Sequence, residues 1–334
     1  MDESNTPPAF GADAQPPLTP TRPPEPERNK ILFGPNGLRA GWRLLIFALI
    51  VFCIVGAINL VGHYAARKLG QGQAPPNPSQ QSSLTPGLVL LGDVPVFGLI
   101  LLISWIMGRI ERRRVSHYGL TSRPPFPKNF WAGLLWGFLS ISAVLLVMFL
   151  LHGFRITGVD THGSALALSA LEWALAFAAV GLFEEFSFRG YIQFTLTTGI
   201  GFWPAALITS ALFAYVHKGN TGESPLGLFQ VAAFGIFACI ALQRTGNLWW
   251  PIGFHAAWDW GQTFFYGVPD SGLKATHNFL HTAFNGPVWL TGGTTGPEGS
   301  ILTTIALVVA SLVVMRVYRD VRYPDPDGLG LRFR

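Results

Sequence analysis

Long runs of apolar residues recur along the chain, separated by short segments that hold most of the charged, proline and glycine residues. Runs of about 15 to 22 residues are of the length that a helix needs to cross a bilayer. The pattern therefore predicts an all-α fold, a polytopic membrane helix bundle with about eight transmembrane helices. The predicted spans are 44–61, 88–107, 130–151, 165–183, 202–216, 225–242, 248–266 and 301–315.

The composition indicates that lipid is the main solvent of this chain. Hydrophobic residues make up 49% of the sequence and charged residues only 12%, with a mean hydropathy of +0.37, whereas about a quarter of a typical soluble domain is charged. We expect an integral, multi-pass membrane protein in contact with membrane lipid, in the plasma membrane if the source is bacterial. The net charge of +5 does not indicate a nucleic-acid partner, because the basic residues lie near span ends.

These basic residues predict an orientation, since Lys and Arg beside a span resist translocation. They cluster before the first span, between the second and third, and after the last, so both termini are expected in the cytoplasm. Two cytoplasmic termini require an even number of spans, which agrees with eight. The clusters are Arg39 and Arg43; Arg109, Arg112, Arg113, Arg114, Arg123 and Lys128; and Arg316, Arg319 and Arg322.

The segment GLFEEFSFRGY, residues 181–191, places three ionisable groups in an otherwise apolar predicted helix. Glu185 and Arg189 are four residues apart with the acid first, the favourable order for an ion pair on one helix face. Glu184 lies about 100° away around the helix, so its carboxylate need not share that partner. Charged groups inside a membrane segment are costly, which favours a functional site over a purely structural ion pair.

The next apolar run ends with Phe213 and His217, and the intervening segment TTGIGFWP, residues 197–204, predicts a turn. Glu184 and His217 are almost equally far from the centre of this turn along the chain. In an antiparallel helical hairpin that rises about 1.5 Å per residue, both would lie roughly 25 Å from the turn. The sequence therefore predicts that a carboxylate faces an imidazole at the same depth.

A third polar pair, His255 and Asp259, interrupts the apolar run NLWWPIGFHAAWDWG. Their spacing of four puts both side chains on one helix face. Two interpretations stay open: a hydrogen-bonded pair that holds helices together, or two further groups that converge on a site. Of the other acids in the predicted spans, Glu172 is expected to reach the lipid headgroups and Asp93 to lie at the membrane interface, outside a catalytic site.

Three motifs thus follow one another on successive apolar helices. They are Glu184-Glu185-x-x-x-Arg189, Phe213-x-x-x-His217 and His255-x-x-x-Asp259. In this order they resemble the CAAX-protease and bacteriocin-processing intramembrane endopeptidases, also called the Abi or type II CAAX prenyl protease family. The resemblance covers roughly residues 165–265.

The resemblance implies a helical bundle with a hydrophilic cavity inside the membrane. It implies that Glu184 and His217 position and deprotonate a water for attack on a peptide carbonyl. His255 and the residue at position 259 would face the developing oxyanion or bind a metal, while Glu185 and Arg189 would brace the site. A carboxylate in a pocket of low dielectric constant suits the role of general base.

Position 259 is Asn in many members of this family, whereas this chain has Asp259. An ionised carboxylate would repel an oxyanion, which leaves three roles open: a protonated donor, an orienting partner for His255, or a metal ligand. A divalent ion such as zinc would be held by some of Glu184, Glu185, His217, His255 and Asp259. The spacing is not the HExxH of zinc peptidases, so the cofactor is left open, with a slight preference for metal-independent hydrolysis.

We therefore expect a hydrolase, an intramembrane endopeptidase that cleaves a peptide bond with a water activated by Glu184 and His217. Its substrate would be a membrane-associated peptide or protein, which the resemblance allows to be lipidated. A catalytically silent relative that serves as a membrane scaffold or in self-immunity to bacteriocins stays an alternative. A transporter is less favoured, because the sequence contains no recognisable inverted repeat.

The same reasoning divides the chain into five parts. A proline-rich cytoplasmic tail, 1–30, is expected to be disordered, and 31–164 holds the N-terminal transmembrane helices. Residues 165–266 form the CAAX-protease-like catalytic core and 267–299 an extramembrane loop. The last part, 300–334, contains the final transmembrane helix and a basic tail.

Overall fold

The computed structural model describes residues 29–34, 37–68, 83–121, 126–220 and 222–322. Of the predicted tail, 1–30, only the last two residues are described. Arg123 and residues 323–334 also lie outside the described residues. Helices dominate the described part. They are α1 (Ala40–Lys68), α2 (Pro86–Glu111), a 3-10 turn (Val115–Tyr118), α3 (Phe126–Leu150), α4 (Gly163–Phe186), α5 (Gln193–Ile200), α6 (Phe202–His217), α7 (Pro225–Thr245), α8 (Trp249–Asp259), α9 (Val288–Thr291), a 3-10 turn (Pro297–Gly299) and α10 (Ile301–Val317).

Each predicted apolar run coincides with a helix, and the prediction of a polytopic helical membrane protein is confirmed. Five helical segments of the described residues are long and apolar enough to cross a membrane: Ala40–Ala57, Pro86–Glu111, Pro127–Leu150, Gly163–Ile200 and Pro225–Thr245. The helices Phe202–His217 and Ile301–Val317 are apolar but shorter. The count of eight spans and the cytoplasmic position of both termini stay predictions.

Short strands tie the loops to the helix ends. They are β1 (Phe33–Gly34), β2 (Gly37–Leu38), β3 (Ser83–Leu84), β4 (Phe154–Val159), β5 (Lys274–Ala275) and β6 (Leu280–Phe284). β1 pairs antiparallel with β2, β3 parallel with β5, and β4 antiparallel with β6, with a bulge between Ile156 and Gly158. The loop 267–299 is thereby fixed to the start of α2 and to the segment before α4.

Helix α8 packs against α3 and α4 through backbone contacts at glycines. A Cβ at Gly133 or Gly137 of α3, or at Gly253 of α8, would clash with backbone of the opposing helix. At Gly181 of α4, a Cβ would lie 2.9 Å from the Ile252 carbonyl oxygen. Small residues let membrane helices approach closely, so backbone contacts on both sides fix the position of α8.

Two π-helical turns interrupt these helices, Ser187–Ile192 after α4 and Trp260–Phe265 after α8. Gly190 within the first has φ −81° and ψ −114°, outside the helical region. A π turn holds one more residue than an α turn and is often found at functional sites. The first turn begins shortly after Glu185, and the second begins directly after Asp259.

A cluster of polar groups, here called the Glu111 cluster, joins α1, α2 and the helix that follows α4. Arg43 Nη1 donates to Glu111 Oε2 at 2.8 Å, and Arg43 Nη2 donates to the hydroxyl of Thr198. The Tyr191 hydroxyl donates to Glu111 Oε1 at 2.6 Å, and Arg113 Nε lies 3.7 Å from Glu111 Oε2. Both oxygens of this buried carboxylate are therefore engaged.

Candidate active site

The charged motifs meet at a cavity of about 420 Å³ between α2, α4, α6, α7, α8 and the loop 267–299. Aromatic and aliphatic side chains form much of its wall, as is common in ligand sites. The titratable groups on the wall are two histidines and five carboxyls: His217 and His255, with Asp93, Glu184, Asp259, Asp270 and Glu298. The described residues that line the cavity include no Lys or Arg.

Glu184 lies between the two imidazoles. Its Oε2 is 4.0 Å from His217 Nε2 and 3.6 Å from His255 Nε2. These distances are longer than direct hydrogen bonds, and one water-sized group can contact the carboxylate and an imidazole together. The predicted hairpin turns at Gly201 (φ 86°), so that Glu184 and His217 face each other at nearly equal sequence distance from the turn.

The tautomer of His217 follows from its backbone contact. Its Nδ1 lies 2.8 Å from the carbonyl oxygen of Phe213. A carbonyl oxygen can only accept, so Nδ1 carries the proton and Nε2 of the neutral ring offers a lone pair. The ring of His217 also packs edge-on against Phe213, with centroids 4.6 Å apart, which fixes Nε2 toward Glu184.

His255 is oriented in the same way by a carboxylate. Its Nδ1 lies 3.0 Å from Glu185 Oε1, so Nδ1–H donates and Nε2 is turned toward Glu184. The sequence left open whether Asp259 performs this orienting role. The geometry assigns it to Glu185, because Asp259 Oδ2 lies near the other ring nitrogen, 3.5 Å from Nε2.

The predicted Glu185–Arg189 pair forms inside the bundle. Arg189 Nη1 lies 3.4 Å from Glu185 Oε1, and both side chains are fully buried. The guanidinium also stacks over the ring of Phe213, 4.2 Å from its centroid, a cation–π contact. A Cβ at Gly235 would come within 2.7 Å of Arg189 Nη2, so the glycine leaves the space that this arginine occupies.

Asp259 belongs to a second group of carboxyls on the cavity wall. One oxygen each of Asp259, Asp270 and Glu298 lie within 4.8 Å of one another. Burial, followed by the neighbouring carboxyls of Asp259 and Glu298, raises the pKa of Asp270 well above its usual range. This trio shares only Asp259 with the metal ligands that the sequence suggests.

The sequence did not predict three residues of the cavity wall. Asp93 lines the cavity, because α2 packs along α4, and its expected position at the membrane interface stays a prediction. Asp270 and Glu298 come from the loop, where no helical spacing relates them to a motif. Glu172 lies on the exposed surface of α4, and its expected contact with headgroups stays a prediction.

A family model described as "Rce1-like: Type II CAAX prenyl endopeptidase Rce1-like" matches residues 166–261. The match covers under a third of the chain, and this segment is similar to that family. The Rce1-like segment contains all the motif residues, from Glu184 to Asp259, and the resemblance predicted from them is confirmed. The similarity supports peptidase activity in general, on a peptide or protein substrate, in an integral membrane protein. No curated protein and no solved structure matches the chain.

The Rce1-like segment does not include the whole cavity. Asp93 precedes it, and Asp270 and Glu298 follow it. The Glu184, His217 and His255 side chains therefore belong to the family segment, whereas three of the five wall carboxyls are supplied by the rest of the chain.

Proposed function

We propose that this protein is an intramembrane endopeptidase that hydrolyses a peptide bond with a water held between Glu184 and His217. The observation that carries the proposal is the common direction of the two histidines. Each Nδ1 is engaged, one by the Phe213 carbonyl and one by Glu185, and each Nε2 points at Glu184. Such an arrangement positions a general base beside a nucleophile before substrate binds.

In the proposed reaction, Glu184 and His217 take a proton from the water as its oxygen attacks the carbonyl carbon. The carbonyl π electrons move to the oxygen, and His255 Nε2–H in the imidazolium form donates to that oxyanion. The Glu185 carboxylate balances the imidazolium charge through Nδ1. Collapse of the tetrahedral intermediate breaks the C–N bond, and the proton held by Glu184 and His217 passes to the leaving amine.

The shape of the cavity supports a membrane-associated substrate. Leu88 of α2 and Val216 of α6 line the cavity, yet they are 62% and 55% exposed. The wall therefore continues onto surfaces that would face lipid in a membrane. An apolar chain, such as a lipid anchor or a hydrophobic peptide segment, fits this continuation better than a polar peptide does.

The same residues have the donor types of a His₂Glu zinc centre. Glu184, His217 and His255 would hold the ion, since both Nε2 atoms and a carboxylate oxygen converge. When bound, zinc would supply an acidified water. Hydrolysis without metal is preferred, because the Glu184 and His217 pair suffices as the base.

The test is proteolysis by purified full-length protein in proteoliposomes, with matched lipidated and unlipidated fluorogenic peptides. We expect cleavage by the wild type, no cleavage by Glu184→Gln, and a higher kcat/KM for the lipidated peptide. Metal analysis of the same samples, with and without a chelator, distinguishes a water activated by zinc from a water activated by Glu184 and His217 alone. Absence of cleavage of any peptide by well-folded wild type would favour the scaffold alternative.

A further inference from the structure

The carboxyl trio of Asp259, Asp270 and Glu298 has the dimensions of a shell around one ion. Its three oxygens lie within 4.8 Å of one another. Oxygen ligands of Ca²⁺ lie about 2.3 to 2.6 Å from the ion. Two such ligands on opposite sides are then separated by roughly 5 Å, and adjacent ones by less, so the spacing fits a single hard cation.

Neutral donors orient the trio without cancelling its charge. Thr263 Oγ1 donates to Asp270 Oδ2 at 2.9 Å. The backbone N and the hydroxyl of Ser271 donate to Glu298 Oε2 at 2.7 and 2.8 Å. The described wall of the cavity holds no Lys or Arg, and the one histidine near the trio, His255, is shared among Glu184, Glu185 and Asp259. A wall with this much negative charge and so little compensation favours a bound cation.

A buried amide on the same wall provides a separate indication of a ligand. Gln230 is 2% exposed and lines the cavity. Its Nε2 donates to the Ser300 carbonyl, two residues beyond Glu298, and to Thr304. Its Oε1 has no hydrogen-bond partner. An uncompensated buried carbonyl oxygen is costly, and amide oxygens are ligands of the same hard cations that carboxylates bind.

We propose that Asp259, Asp270 and Glu298 bind a divalent cation of the oxygen-preferring class, with Gln230 on the same wall. All donors are oxygens, which suits Ca²⁺, Mn²⁺ or Mg²⁺ rather than zinc. The ion would link α8 to both ends of the loop 267–299 and is separate from the water held by Glu184 and His217. The proposal does not rest on the proposed peptidase function.

The test measures ion binding directly, without substrate. Full-length protein in detergent is freed of metal with a chelator and titrated with Ca²⁺ by calorimetry and with Mn²⁺ by electron paramagnetic resonance. We expect one saturable site, with affinity at least about tenfold weaker in Asp270→Asn and in Glu298→Gln. Asp93→Asn, which removes another carboxyl of the same cavity, is the matched control and should bind as the wild type does.

Thermal unfolding provides a second readout that does not require strong binding. Ca²⁺ should raise the melting temperature of the wild type and of Glu184→Gln, but not that of Asp270→Asn. Metal-free Asp270→Asn should melt no lower than metal-free wild type, since the amide removes repulsion between carboxyls.

Two results would overturn the site. One is the absence of saturable binding of Ca²⁺, Mn²⁺ and Mg²⁺ to wild type up to about 1 mM, the weak end of protein calcium sites. The other is equal loss of binding in Glu184→Gln or Asp93→Asn, which would place the ion elsewhere in the cavity. Either result leaves the test of proteolysis unaffected, because that test measures cleavage alone.

Discussion

The Glu111 cluster and the cavity wall surround their carboxyl groups with opposite kinds of neighbours. In the first, one carboxylate receives two arginines and a tyrosine hydroxyl, and both of its oxygens are engaged. In the second, five carboxyls share a wall with two histidines and no described Lys or Arg. A charge in low dielectric requires compensation, and only the first cluster contains that compensation in full.

This difference separates a structural contact from a site. The Glu111 cluster connects three helices, and both oxygens of its carboxylate are engaged. In the cavity, the groups that remain uncompensated are those that a water, a substrate or a cation would contact. Glu185 is the exception within the cavity region, since it is paired with Arg189 and serves to orient His255.

The largest effect is expected at the base. Glu184→Gln and His217→Ala should each lower kcat for proteolysis by at least about a hundredfold, the lower range for loss of a general base. Folding should be retained, because Glu184 forms no direct hydrogen bond with either histidine. Peptide cleavage and size-exclusion profiles measure both. Full activity in Glu184→Gln would contradict the proposed reaction.

A large loss of stability is expected at Arg189. Arg189→Ala leaves Glu185 as a buried, unpaired charge, which should lower the free energy of unfolding by about 3 to 5 kcal/mol and reduce activity through His255. Denaturant unfolding in detergent measures the first effect. The double variant Glu185→Gln with Arg189→Ala is the control, and it should recover part of the stability but not the activity.

A smaller effect, on stability alone, is expected in the Glu111 cluster. Arg43→Met removes a charged hydrogen-bond partner and should cost about 1.5 to 3 kcal/mol. Activity per folded molecule should stay unchanged, because the cluster is not part of the cavity wall. A fall in kcat at constant folded fraction would show that the Glu111 cluster and the cavity are coupled, in contradiction to their separate roles.

The smallest effect on catalysis is expected at Asp259. Since Glu185 orients His255, Asp259→Asn should keep kcat/KM within about tenfold of wild type, or 1.4 kcal/mol. The variant also restores the residue common in the family. Kinetics beside elemental analysis measure the effect. Loss of both activity and stoichiometric zinc on this substitution would instead place zinc at the catalytic centre.

Periodicity and turn signals were sufficient to predict the helices and the pairing of Glu184 with His217. Both predictions depend only on local properties of the chain, namely the helical rise per residue and the number of residues that separate each side chain from Gly201. They could not predict that His255 meets Glu185 or that Asp93 reaches the cavity, because these contacts depend on which helices pack together. Asp270 and Glu298 were the hardest to anticipate, since the strand pairs that fix their loop join residues more than a hundred positions apart.

The π turn at Ser187–Ile192, with its kink at Gly190, lets the helical segments before and after it present their side chains in different directions. Before the turn, Glu184 lines the cavity and Glu185 contacts His255. Tyr191 in the turn and Thr198 after it contact the Glu111 cluster. Deleting one residue there would restore α-helical hydrogen bonding and rotate everything downstream by about 100° relative to the upstream half. The π turn thus sets the angle between the two segments, so that the orientation of Glu184 toward the cavity does not depend on how the downstream segment packs.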